Sequence, residues 1–180
     1  MSTIDAKSKR DKSVLQTFLE TLGNENGEAR AAAILAAQGI GADAVLPLAK
    51  MIGGHNLAAA KAASEALKRI VHHAARPGTA AEAKAVSTHL LQLATSDQPV
   101  AVRREASHLL GYVALEHQAE RIASLLRDPV LREDVRQTLQ RIPGRKVDTV
   151  LEDALRTAPP EFAVAIKLTL QHRSGVRDKK

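Results

Sequence analysis

Residues 102–113 read Val102-Arg103-Arg104-Glu105-Ala106-Ser107-His108-Leu109-Leu110-Gly111-Tyr112-Val113, with apolar or small side chains at offsets 0, 4, 7, 8 and 11 from Val102. At 3.6 residues per turn these positions share one stripe of roughly 100°, so the segment is a helix with a single buried face. The pattern returns along the chain: from Ala29 it gives Ala33, Ala36, Ala37 and Ile40, and from Ala59 it gives Ala63, Ala66, Leu67 and Ile70. From Leu131 it gives Val135, Leu139 and Ile142 with Thr138 between, and Phe162 opens a looser copy with Ile166, Thr169 and Leu170. The starts are separated by 30, 43, 29 and 31 residues, so one interval carries extra residues, placed near Arg76-Pro77-Gly78. A repeat with a period in this range marks a helical-repeat protein.

An amphipathic segment precedes each copy, at about residues 13–22, 42–52, 80–95, 117–127 and 146–157, which makes five helical hairpins. The punctuation agrees. Pro99, Pro129 and Pro159 each stand near the first turn of a second helix, where a missing N–H costs nothing, and Asp128 is placed to cap one. Thr79-Ala80-Ala81-Glu82 has capping-box spacing. Most glycines fall between helices, and only Gly111 and Pro47 sit inside them. Apolar residues make up 44% of the 180, weighted to Ala and Leu, with no Trp, two Phe and one Tyr, which suits close helix packing rather than strands.

These residues resemble the HEAT-repeat family, in particular its short variety seen in phycobilisome-lyase-like repeats. The shared features are an acidic residue closing the first helix, a Val-Arg-type dipeptide, then Ala, Leu and Gly at fixed offsets. Asp97 with Val102-Arg103 and Asp128 with Leu131-Arg132 carry them best; Ala29-Arg30 keeps the Arg, and the copies at Ala59 and Phe162 lack it. The resemblance implies an all-α, right-handed α-α superhelix of about five hairpins over residues 13–173. It also implies partner binding on the inner face of the second helices, and an Asp-to-Arg ladder interrupted where the Arg is missing. Residues 1–12 and 174–180 are expected to be basic tails. Residues 1–12 contribute +2, and residues 173–180 +3, of a net +6, so the body is near neutral.

The absence of Cys excludes disulfides, thiolate metal sites and a cysteine nucleophile. No secretory signal and no apolar run of membrane-spanning length is found, so a cytoplasmic protein with no membrane association is expected. His72-His73 is no chelating pair, because adjacent helix positions diverge by about 100°. A macrodipole-stabilised helix end accounts for them. Di-iron HEAT-like hydroxylases present His-Glu pairs, and here only Glu116-His117 occurs, in reverse order. HEAT-like DNA glycosylases need aromatic platforms that this composition lacks. In the phycobilisome-type lyases the reacting Cys is the client's, so its absence here is not decisive, although an aromatic-lined pigment pocket is hard to build from so few rings. Glu152-Asp153 and Glu133-Asp134 read as solvated faces, and Gly39-Ile40-Gly41 as a helix-to-helix turn.

Offsets 2, 5, 6 and 9 lie opposite the core stripe and would be exposed: Lys61, Ser64, Glu65 and Lys68; Arg104, Ser107, His108 and Gly111; Glu133, Arg136, Gln137 and Gln140. From these, Lys61, Glu65, Lys68, Arg104, His108, Arg136 and Gln140 are the expected partner-binding residues. Lys61, Lys68, Arg104 and Arg136 would anchor an acidic protein segment, unless the charges serve only solubility. In the first copy Ile34 and Leu35 occupy outward positions and are either covered by residues 14–22 or form a docking patch; Val164 and Leu168 pose the same question at the other end. The expectation is a non-catalytic protein-interaction or scaffold module, not an enzyme, with no catalytic residues, cofactor or metal. The alternatives are nucleic-acid association through the basic tails, disfavoured by the neutral body, and an unrecognised HEAT-like lyase or glycosylase relative.

Overall fold

Two of the helices start where an Asn side chain supplies an acceptor for their first free N–H groups. The computed structural model describes residues 3–177, with side chains over residues 11–176. Ten α-helices and no strand occur among the described residues. In chain order α1 (Thr3–Gly23) packs with α2 (Gly27–Ala36) and α3 (Val45–Ile52) with α4 (Leu57–Ala74), and α5 (Ala80–Ala94) and α6 (Val100–Val113) come next. Then follow α7 (Ala119–Ala123) with α8 (Arg132–Arg141), and α9 (Arg145–Thr157) with α10 (Pro160–Arg177). The ten expected helices are present in order, and four of the expected hairpins are packed pairs. Residues 3–12, read as tail, form the first turns of α1, and much of both basic ends lies outside the described side chains.

The chain divides into two compact units, residues 1–89 and 90–180. In the first, the Asn26 side chain accepts the N–H groups of Glu28 (2.9 Å) and Ala29 (3.2 Å), and Asn56 accepts that of Ala59 (3.0 Å), capping α2 and α4. The stripe Ala59, Ala63, Ala66, Leu67 and Ile70 of α4 is buried throughout. α4 packs against α2 and α3, and α1 lies on α2 and α4 with Phe18 and Leu22 inward. Because α2 offers α1 mostly methyl groups, a shallow apolar groove of about 510 Å³ remains, bordered by Val14, Phe18, Ala29, Ala33, Ala36 and Ile40. So α1 caps the Ala33 side of α2: Ile34 is half-buried and Leu35 stays exposed. The extra residues of the long repeat interval do not form a loop at Arg76-Pro77-Gly78. They lengthen α4 to 18 residues and α5 to 15, and the turn between them is short, with Gly78 at φ +89°. The Thr79 hydroxyl turns back to donate to the carbonyls of Ala74 (2.9 Å) and Arg76 (2.6 Å), at the C-terminal end of α4.

In the second unit α6 packs along α8, and α8 and α9 each pack on α10. The stripes Val102–Ala106–Leu109–Leu110–Val113 and Leu131–Val135–Leu139–Ile142 are buried, as are Phe162, Ile166 and Thr169. A fully buried Leu or Ile contributes on the order of 1.5–3 kcal/mol. The α6–α8 approach is close. A Cβ on Gly111 would lie 3.5 Å from Thr138 Cα, and Thr138 Oγ1 donates to the Ser107 carbonyl at 2.5 Å. This corrects the outward assignment of Ser107, which is 1% exposed: the small residue lets the two backbones meet, and α8 covers it. Its own hydroxyl is buried without a hydrogen-bond partner among the described residues.

Arg173 also departs from expectation. It stands at offset 11 from Phe162, where the other copies place Val113, Ile70 and Ile142, and is 9% exposed. Its Nε donates to Asp148 Oδ1 at 2.6 Å, Nη1 to the carbonyls of Leu139 (2.9 Å) and Ile142 (2.6 Å), and Nη2 to that of Gly144 (2.9 Å). The guanidinium thus satisfies the open carbonyls at the C-terminus of α8 and ties α9 to α10. It belongs to the core of the last hairpin.

Two outcomes follow in equilibrium urea unfolding. Arg173→Met should cost about 3–5 kcal/mol, because Asp148 and several carbonyls lose a buried donor, and Arg173→Lys should recover little of it. Ser107→Ala should instead raise stability by roughly 1 kcal/mol, since a buried hydroxyl with no partner is removed; a loss of stability would show that the hydroxyl has a partner.

Candidate functional site

The exposed side of a second helix is whatever its core stripe leaves free, and the seven expected binding residues lie on three such helices. Lys61, Glu65 and Lys68 are on α4 in the first unit; Arg104 and His108 on α6 and Arg136 and Gln140 on α8 are in the second. Their electrostatic states differ sharply between the units.

In the second unit the cations are already matched. Arg104 Nε lies 3.2 Å from Asp134 Oδ2, and its Nη2 donates to the Val130 carbonyl at 3.1 Å. Arg136 pairs with Glu133 at 2.5 Å, donates to Gln140 Oε1 at 3.2 Å and also reaches the Thr169 hydroxyl, so its side chain is only 14% exposed. Gln140 is thereby held between Arg136 and Thr169. His108 meets Tyr112 edge to face with ring centroids 5.7 Å apart, and the Arg141 guanidinium covers the other ring at 5.1 Å. Arg136 and Gln140 therefore act first as packing between α8 and α10.

The Asp-to-Arg ladder has one rung: Arg103 Nη2 donates to Asp128 Oδ2 at 2.8 Å, reaching forward to the turn before the next second helix. Arg132, the next candidate, finds no carboxylate in the Pro159-Pro160 turn and stacks on the Phe162 ring at 5.1 Å. The Val130 N–H bond to Asp128 (2.9 Å), with Arg103 beside it, holds that carboxyl below its ordinary range. Glu133 is lowered likewise by its hydrogen bond from Arg136. Below Arg132 opens a cleft of about 500 Å³ lined by Glu120, Arg127, Arg132, Asp153, Thr157 and Phe162. Its carboxylates have partners, Glu120 with Lys146 (3.0 Å) and Asp153 with Arg156 (2.9 Å).

In the first unit Lys68 pairs with Glu65 at 3.0 Å, but the same side of α4 continues into Arg69, His72 and Arg76. With Gln38 and His73 these residues line a groove of about 490 Å³. The sequence reading missed Arg69 and Arg76. Their signal, basic residues three and four apart, was legible, but it was read as a histidine-rich helix end. Among the described residues no cluster of three or more His, Cys, Asp or Glu side chains comes together as a metal site, and no helix is long and apolar enough to cross a membrane.

Fold and surface together define a helical-hairpin protein with plain, charge-bearing second helices and few rings. No protein-family model and no curated protein matches the chain. A solved chain from the complex of CpcE and CpcF of phycocyanin lyase from Nostoc sp. PCC7120 is similar to it. The two share 22% identity and a TM-score of 0.54, over 88% of this chain and 98% of that one. The likeness shows the fold, all-α and of the α-α superhelix class. It also overturns the expectation that the chain is not an enzyme, because the same fold occurs in a complex of a lyase.

Asp128 gives a signed pH dependence. Its folded-state carboxyl is lowered, so the stabilisation it contributes is complete at neutral pH and is lost as pH falls through the carboxylate range. Asp128→Asn should make the decline of the urea midpoint between neutral and acid pH shallower than in the wild type; parallel declines would dissociate Asp128 from acid unfolding.

Proposed function

We propose that the chain is a HEAT-like relative of lyase subunits and works as one member of a two-protein complex, with the second protein seated on the exposed side of its second helices. The observation that carries this is the likeness over nearly the full length of a chain from a two-protein lyase complex. Lyase-type activity, in that case, belongs to the assembled pair.

The surface supports a protein partner. Val164 (58% exposed) and Leu168 (60%) stand one turn apart on α10, an apolar pair that helix packing within the unit leaves open. Arg104, Arg136 and Arg103 of the same unit are paired with Asp134, Glu133 and Asp128, so the anchor there is the apolar pair on α10. A largely self-compensated surface loses little by desolvation when another protein covers it.

The tagged full-length chain, recovered from its own host at native abundance, is expected to elute with a second protein at fixed stoichiometry. A chain that elutes alone, as monomer or homodimer, overturns the proposal. The double variant Val164→Glu, Leu168→Glu should weaken the complex by at least about tenfold with helix content unchanged by circular dichroism, as truncating or charging an apolar anchor does.

A further inference from the structure

In the second unit Arg103, Arg104, Arg136 and Arg173 each have a carboxylate partner, whereas Arg69 of α4 and Arg76 just past its end line a groove that holds a single carboxylate, Glu65. Along α4, Lys61, Glu65, Lys68, Arg69 and His72 recur at the three- and four-residue spacing that defines one face of a helix, and Arg76 follows in the turn beyond its last residue, Ala74. This is the arithmetic of the buried stripe, applied to charge on the opposite side. Like charges at these spacings destabilise an isolated helix by a few tenths of a kcal/mol each. Glu65 is held by Lys68 at 3.0 Å. Among the described residues neither Arg69 nor Arg76 has a carboxylate within ion-pair distance. Arg76 donates instead to the His73 carbonyl at 3.0 Å and meets His73 Nε2 at 2.6 Å, which orients its guanidinium along the groove.

The helix macrodipole explains a basic last turn. It does not explain the groove of about 490 Å³ that Lys68, Arg69 and Arg76 line together with Gln38, Glu65, His72 and His73. From Glu65 to His72 the helical border of the groove is roughly 10 Å long at 1.5 Å per residue, and the guanidinium groups of Arg69 and Arg76 that line it select carboxylates.

We propose that the groove at the C-terminal end of α4, bordered by the cations Lys68, Arg69 and Arg76, is the seat of an acidic segment of the partner protein. This rests on the two-protein reading above and assigns the partner's chemistry. It also moves the electrostatic anchor from Arg104 and Arg136, which are internally paired, to Arg69 and Arg76. Guanidinium forks supply paired donors to carboxylates, and the open groove lets them form without burying an unpaired charge.

Fluorescence anisotropy with the full-length chain and a labelled decaglutamate peptide at low ionic strength provides the test. The wild type should bind, and added salt should release the peptide. Arg69→Glu with Arg76→Glu should weaken binding by about tenfold or more, and Arg69→Gln with Arg76→Gln by an intermediate factor, while Arg104→Glu should change it less than about twofold. The substituted side chains are exposed, and circular dichroism melting verifies that each variant folds. Absence of binding by the wild type, equal losses in the α4 and Arg104 variants, or tighter binding of an oligothymidylate through the same arginines would each overturn the proposal. The charge-reversed chain recovered from its host should also lose the second protein. If it keeps that protein at wild-type stoichiometry, the groove is not the seat, yet the two-protein reading stands; that reading falls only if the wild-type chain comes out alone.

Discussion

A hairpin of about thirty residues cannot bury its own apolar stripe, and each second helix here must press that stripe against neighbouring helices to leave water. This constraint shapes each unit. It makes Ala dominant where helices lie close, as at Ala59, Ala63 and Ala66 of α4, and it selects Ser107, Gly111 and Thr138 where α6 meets α8. It also explains why short helices suffice. Isolated helices of ten residues, such as α2 and α8, are marginal in water, and their stability comes from the packed face.

The first and last hairpins must solve the same problem with less to pack against. At the first, α1 supplies Phe18 and Leu22 to the methyl-rich side of α2, and the fit is loose enough to leave a groove. At the last, the stripe ends in a charge. Arg173 takes the position that Val113 and Ile142 hold in earlier copies, and a guanidinium there is tolerable because every direction it points offers an oxygen: the Asp148 carboxylate, the last carbonyls of α8 and Gly144. A buried ion pair of this kind adds little net stability over an apolar substitute, but it fixes which carbonyls α10 sits against.

Charge is distributed by the same geometry. In the second unit a cation of one second helix reaches the acid near the start of the next, as Arg103 reaches Asp128 and Arg104 reaches Asp134, so the surface is compensated as it is built. α4 in the first unit breaks that pattern. Its extra length carries Arg69 and His72 beyond Glu65, Arg76 follows in the turn, and they line one groove with Lys68. A partner with complementary acid would do there what neighbouring helices do elsewhere.

Periodicity alone determined the helices, their pairing and most of the core, because which residues of a helix face inward depends on spacing within a dozen residues and needs no knowledge of the neighbour. That is why Ala106, Leu110, Leu67 and Leu139 were assigned inward correctly. Tertiary structure decided what each polar side chain meets. Ser107 is outward by spacing and covered by α8 in fact; Arg136 looks like a free anchor and is held by Glu133, Gln140 and Thr169; Arg173 is counted with the basic C-terminal end by its charge and is core. The physical reason is range. An apolar side chain is satisfied by any neighbour that excludes water, whereas a hydrogen bond or ion pair requires one particular atom within about 3 Å, and here that atom commonly lies some thirty residues away in the chain.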